Sequence, residues 1–159
     1  DKVVALAESF MMSYPYESSN DYLSYMQALA LFGAYNAELD NQMQSLLSLG
    51  SHDVSGLTQA KSLLDDFLVN YPDSRYYADA VVLHQEVVDV LLHNDLEIAR
   101  SYRSRKAFFA SQDRLVEVLK SAHDKSTALM ALRSMEANYR SLRLDSLAGI
   151  VKAVVLLNK

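Results

Sequence analysis

The sequence has no cysteine and no tryptophan, and only four glycines and two prolines among its 159 residues. Without cysteine there is no disulfide framework, no thiol redox chemistry, no thiolate metal site and no lipidated cysteine within these residues. So few turn formers argue against the many short strands of a β sandwich or barrel. The longest apolar runs, such as residues 153–157, fall far short of the ~20 residues that cross a bilayer. No charged-then-apolar leader opens the chain, as expected where a targeting segment has been removed. A Gly-rich phosphate loop, G-x-S-x-G and H-E-x-x-H are all missing. The four histidines, at 52, 84, 93 and 123, make no metal signature: His93 and Glu97 lie one helical turn apart without a third ligand. His84, on an apolar stripe, reads as a hydrogen-bonded, partly buried ring. Neither a catalytic site nor a cofactor is expected.

What the chain does contain is apolar surface and helical periodicity. Hydrophobic residues make up 50% of it, too many for a disordered chain, and the length suits a single domain with a real core. The net charge of −5 is unevenly spread. Before residue 97 there are three Lys or Arg against fourteen Asp or Glu, a balance of −11; from there on, twelve against six give +6. Such asymmetry points to two electrostatically different docking surfaces. Nucleic acid is not implied, because the basic half is interleaved with acids and carries no nucleic-acid motif.

Between residues 75 and 105 there is no Gly or Pro, and Tyr77, Ala80, Val81, His84, Val88 and Leu91 recur at steps of three or four. This predicts one amphipathic helix about 45 Å long at ~1.5 Å per residue, opened by Asp73 and Ser74. Further helices are expected over 2–13, 19–34, 54–70 and 106–120, then from Asp124 or Ser126 to 142, and from Asp145 or Ser146 onward. Residues 35–56, rich in Asn, Gln and Ser around Leu46, Leu47 and Leu49, are expected to form a loop with a short helical turn.

A repeat is visible. Phe10-x-x-x-Tyr14-Pro15 returns as Phe67-x-x-x-Tyr71-Pro72, and Ala60 and Leu64 precede Phe67 as Ala7 precedes Phe10. Small residues let helices approach closely and proline stops the helix, the pattern of the second helix of a tetratricopeptide repeat. A decayed third copy carries Ser111, Leu115 and Val118, with His123 where the proline would stand. The expected fold is all-α, a tetratricopeptide-like solenoid of helical hairpins with lengthened helices. Residues 1–159 are read as one repeat domain. Its parts are the second helix of a truncated repeat (1–15), a repeat with a loop insertion at 35–56 (16–72), a repeat with a long helix (73–123) and a C-terminal hairpin (124–159). Because Val3, Val4, Leu6 and Phe10 want a first helix that is missing, the chain is expected to be the C-terminal part of a longer protein.

Several segments carry a resemblance: Asp21-Tyr22-Leu23-Ser24-Tyr25-Met26, then Tyr71-Pro72-Asp73-Ser74-Arg75-Tyr76, Ala99-Arg100-Ser101-Tyr102, Lys106-Ala107-Phe108, Asp113-Arg114-Leu115, and Leu132-Arg133-Ser134-Met135-Glu136-Ala137-Asn138-Tyr139. In this order and spacing the chain resembles the BamD family, outer-membrane assembly lipoproteins of Gram-negative bacteria. The resemblance implies a non-enzymatic scaffold on the periplasmic face of the outer membrane, lipid-anchored through a cysteine that this chain lacks. Implied partners are the periplasmic (POTRA) domains of the BamA insertase, small lipoproteins of the same complex and unfolded outer-membrane proteins. The chain departs from the family pattern where Lys106 replaces a turn glycine and Ala122-His123 replaces Tyr-Pro.

Arg114 matches the family's arginine that meets an acidic residue of the insertase, and a guanidinium grips carboxylate bidentately. The alternative is a solvent-facing arginine beside Glu117 or Lys120. Asp113 stands next to it. Arg105 aligns with a family basic position and clusters with Arg100, Arg103 and Lys106; the alternative is a solvated helix end whose cations complement the dipole. Tyr14, Tyr71, Tyr102 and Tyr139 fall on packing stripes, while Tyr22, Tyr25, Tyr76 and Tyr77 are less committed. The final helix is apolar on more than one face, and residues 154–157, with Val154 and Leu157, are expected to be partly covered by a small lipoprotein. The rivals are another periplasmic tetratricopeptide adaptor and, remotely, a helical hydrolase using His84 or His93.

Overall fold

A computed structural model describes residues 2–44 and 53–158, with side chains placed for all but 41–44. Among these residues there are seven helices and no strand: α1 (Lys2–Ser13), α2 (Asn20–Gln44), α3 (Ser55–Asn70), α4 (Tyr77–Ser104), α5 (Phe108–Ser121), α6 (Lys125–Ser141) and α7 (Asp145–Leu157). Neighbouring helices form hairpins of the tetratricopeptide-like kind, α1 with α2, α2 with α3, α5 with α6 and α6 with α7. None of the described helices is long and apolar enough to cross a membrane. The chain divides between Leu91 and Leu92 into two compact units.

In the first unit the core is built from one stripe per helix. α3 buries Leu57, Ala60, Leu64 and Phe67, spaced by three and four as a 3.6-residue period requires. Ala28 and Leu31 of α2 and Ala80, Leu83 and Val87 of α4 close on that stripe. Each wholly buried Leu or Phe contributes about 1.5–3 kcal/mol relative to exposure. α1 joins through Val4 and Ala7, and the buried Gln27 amide donates to the Val4 carbonyl at 3.0 Å.

The two proline-ended segments are equivalent turns. Backbone bonds run from the amides of Tyr14, Glu17, Asn20 and Leu23 to the carbonyls of Phe10, Tyr14, Glu17 and Ser19. The same four recur 57 residues on, from Tyr71, Ser74, Tyr77 and Ala80 to Phe67, Tyr71, Ser74 and Tyr76. Phe10 meets Tyr14 at 5.0 Å and 40°, and Phe67 meets Tyr71 at 5.4 Å and 43°. Burial differs: Phe67 is fully enclosed, whereas Phe10, Val3 and Leu6 are exposed.

Ser111, Leu115 and Val118 of α5 are buried 51 residues after Ala60, Leu64 and Phe67, so the decayed copy keeps the packing positions of α3. Its end is rebuilt. The Ala122 amide still bonds the Val118 carbonyl, but Asp124 then caps α6 directly, accepting from the Thr127 amide at 2.8 Å. Those hydrogen bonds hold the Asp124 carboxyl below its ordinary pKa.

Two expectations are corrected. Residues 35–44, expected in a loop, continue α2 as helix: they contain no Gly or Pro to break it, and Asn36, Glu38 and Asp40 are exposed. Of the rest of the expected loop, residues 45–52, with Leu46, Leu47, Leu49 and His52, lie outside the described residues, while Ser55 and Gly56 already open α3. Tyr14, expected in the core, is 57% exposed.

Candidate functional site

Because α5 buries Ser111, Leu115 and Val118, residues 113, 114 and 117 fall on its outer face. There Asp113, Arg114 and Glu117, with Ala110 and Tyr102, line a shallow open depression in the second unit. Arg114 Nη1 donates to Asp95 Oδ1 of α4 at 3.1 Å. The partner is therefore neither Glu117 nor Lys120, which pair with each other at 2.8 Å. Arg114 remains 48% exposed with Asp95 at 26%, so most of its five N–H groups stay available.

The basic cluster at the end of α4 does not act as one group. Arg100 is held by Glu97 at 2.9 Å. Arg103 faces a second cleft, lined also by Leu96, Ala99, Ser111, Met130 and Ser134, which shares no residue with the Arg114 depression. Arg105 is exposed at the helix end. Lys106 has φ 63°, the left-handed conformation that glycine adopts most readily. The Ala107 amide bonds Tyr102 O and the Lys106 amide bonds Arg103 O, which closes the helix with a Schellman motif. The end of α6 repeats this, with Arg143 at φ 59° and bonds from Leu144 to Tyr139 O and from Arg143 to Arg140 O. Sequence reasoning missed the signal, the shared Tyr-Arg-Ser-x-[Lys/Arg] at 102–106 and 139–143.

α7 turns Ala148 and Val155 inward. Leu147, Ile150, Val154 and Leu157, at 41%, 62%, 39% and 86% exposure, form a continuous apolar stripe along its other side. Of the segment 154–157, only Val155 is buried.

The first unit holds an arrangement invisible in sequence. The segments 21–26 and 71–76, which carry much of the resemblance, meet in space. Ser74 Oγ donates to Asp21 Oδ2 at 2.6 Å, Tyr25 stacks on Tyr76 at 5.5 Å and 10°, and Tyr22 tilts against Tyr76 at 5.3 Å. The Arg75 guanidinium lies 4.6 Å over the Tyr76 ring and hydrogen-bonds its hydroxyl. Burial, then the charge of Asp79, push the Tyr25 phenol above its ordinary pKa. The motif is thus a clasp between the starts of α2 and α4.

His84, half-buried, bonds Asp65 Oδ1 at 2.8 Å, while Lys61 takes Oδ2 at 2.7 Å. Partial burial works to raise the Asp65 pKa, but these two partners outweigh it and leave the carboxyl below its ordinary value. Glu97 is engaged by Arg100. Among the described residues no group of three or more His, Cys, Asp or Glu is placed to hold a metal.

Comparison with known proteins assigns the family. The YfiO model, described as "Outer membrane lipoprotein", matches residues 1–153. The outer membrane protein assembly factor BamD of Pasteurella multocida is 29% identical over 161 residues, covering 99% of this chain and 60% of that protein. BamD of Neisseria gonorrhoeae is 29% identical over 164 residues, 99% of this chain and 58% of the relative. That of Buchnera aphidicola is 29% identical over 155 residues, 96% and 61%. The chain thus spans about three-fifths of the length of these relatives. With its repeated proline-ended turns and paired helices, the chain belongs to the YfiO family of outer membrane lipoproteins.

Proposed function

We propose that this chain is part of a scaffold for assembling outer-membrane proteins at the periplasmic face of the outer membrane, and that it works by docking rather than catalysis. In this reading the depression around Arg114 receives an acidic residue of a periplasmic domain of the BamA insertase. The exposed stripe of α7 receives a small partner lipoprotein. The membrane is reached only through a lipid anchor outside these residues.

The observation that carries the reading is Arg114 itself. Its guanidinium is half-exposed at the rim of an open depression and donates a single bond to Asp95. Packing does not require an arginine there, whereas recognition of a carboxylate does. The support for the partner class comes from relatives named as outer membrane protein assembly factors.

The test is charge reversal. Arg114→Glu places a second carboxylate beside Asp95 and removes the fork. Binding to the purified periplasmic domains of the insertase from the same organism is expected to weaken severalfold at physiological salt, with an unchanged circular dichroism spectrum. Undiminished binding overturns the reading.

A further inference from the structure

We propose that the outer face of α5 carries a second subsite beside Arg114, formed by Asp113 and Phe109, which takes a basic side chain, lysine or arginine, of the same partner whose carboxylate Arg114 grips. This subsite rests on the docking reading of the depression given above and adds to it the sign of a second partner residue. It starts from what Asp113 does not do for its own fold. Asp113 is exposed and has no ion pair or side-chain hydrogen bond among the described residues. It is neither the N-cap of α5, which is Ala107, nor part of its first turn, so it does nothing for the helix end. Its neighbour four residues on is Glu117, a like charge that weakens the helix. Four residues back stands Phe109, 72% exposed and, among the described residues, neither stacked on another ring nor covered by a cation.

Residues four apart on a helix are surface neighbours, so Phe109 and Asp113 form one patch. A free carboxylate beside an uncovered aromatic ring receives a cation: the carboxylate takes its N–H groups, and the ring lies along its apolar stem or its charged head. The charge of the depression calls for such a companion. Asp95, Asp113 and Glu117 stand against Arg114 and Lys120, three carboxylates against two cations, and of the five only Asp113 is unpaired. A partner that brings a carboxylate alone enlarges the negative excess. One that brings an acid beside a base leaves the contact balanced, and Asp113 then rejects partners carrying acid alone. Asp113 is in this sense a specificity-determining residue: its charge works against its own helix and is neutralised only by docking.

The experiment is calorimetry of this chain with the purified periplasmic domains of the insertase from the same organism, at about 0.15 M salt. Asp113→Asn is expected to weaken binding about two- to fivefold, with melting unchanged or raised because the like charge beside Glu117 is gone. Phe109→Ala, an exposed change that leaves the core intact, is expected to weaken it by about the same factor. The double variant should lose less than the product of the two, since both act on one partner side chain. Asp113→Asn that tightens binding is the mark of a partner carrying acid alone, and overturns the proposal. Indifference to Asp113→Asn or to Phe109→Ala, or losses that multiply in full, overturns it as well. If Arg114→Glu still weakens binding in the same series, the docking reading survives that failure. If Arg114→Glu is without effect while Asp113→Asn weakens binding, the grip by Arg114 fails and the basic subsite stands alone. An unaltered chain that does not bind these domains overturns both.

Discussion

If Arg114 grips a partner's carboxylate, Asp95 is an internal competitor for it. The two are joined at 3.1 Å across α4 and α5, and the pair is accessible rather than buried. Exposed ion pairs of this kind contribute about 0.2–1 kcal/mol. Asp95→Asn keeps the shape, removes the competing charge and frees that amount for the partner. It also removes a negative charge that the incoming carboxylate must approach. Binding of the insertase's periplasmic domains should therefore tighten by about 1.4- to fivefold, from the same 0.2–1 kcal/mol divided by RT. Isothermal calorimetry at about 0.15 M salt, where longer-range surface charge is screened, reads the change. The double variant Asp95→Asn/Arg114→Gln should show none of the gain, which separates release of Arg114 from a general loss of negative charge. Unchanged or weaker binding by Asp95→Asn, with melting lowered by no more than the pair is worth, would refute Arg114 as the grip.

Three stability predictions follow from the backbone and the core. Lys106→Gly relieves a left-handed non-glycine residue and should raise stability by about 0.5–1 kcal/mol, seen as a higher melting temperature. Asn138→Ala strips the amide that serves both Ser111 and Gln112 from a fully buried position, so denaturant unfolding should report a loss of about 2–3 kcal/mol. Asp65 has its carboxyl pKa depressed on folding, so its contribution is present above about pH 4, the unfolded value, and disappears as pH falls through the lower folded value. Since Asp65 is 49% exposed, that contribution is about 0.2–1 kcal/mol, and melting of Asp65→Asn between pH 3 and 6 should lack that part of the acid dependence.

Most helix boundaries were legible because their causes are local. Pro15 and Pro72 stop helices, Asp124 caps one, and stripes such as Leu57, Ala60, Leu64 and Phe67 declare their buried face. The extension of α2 through residues 35–44 was illegible for the converse reason. The apolar residues of this stretch keep no clear helical period, and its Asn and Gln residues imitate a loop. The candidate site was legible only as residue types. Asp95 and Arg114 lie 19 positions apart on different helices, and nothing in the spacing pairs them. Tyr22, Tyr25 and Tyr76 likewise gain their meaning only when the two segments meet.

The basic half of the chain illustrates how composition overstates a docking surface. Lys106 and Arg143 close helices, where a cation complements the dipole at the cost of a left-handed backbone. Arg100, Lys120 and Arg140 are engaged by acids one turn away on their own helices, pairs that an exposed helix forms for itself. Among the described residues Arg103, Arg105, Lys125, Arg133 and Lys152 have no ion pair, and Arg114 is bound to Asp95 by one contact at an open depression. Specificity on such a surface comes from where the few unspent donors stand, not from the sum of charge, because each engaged pair is already neutralised within a few ångströms.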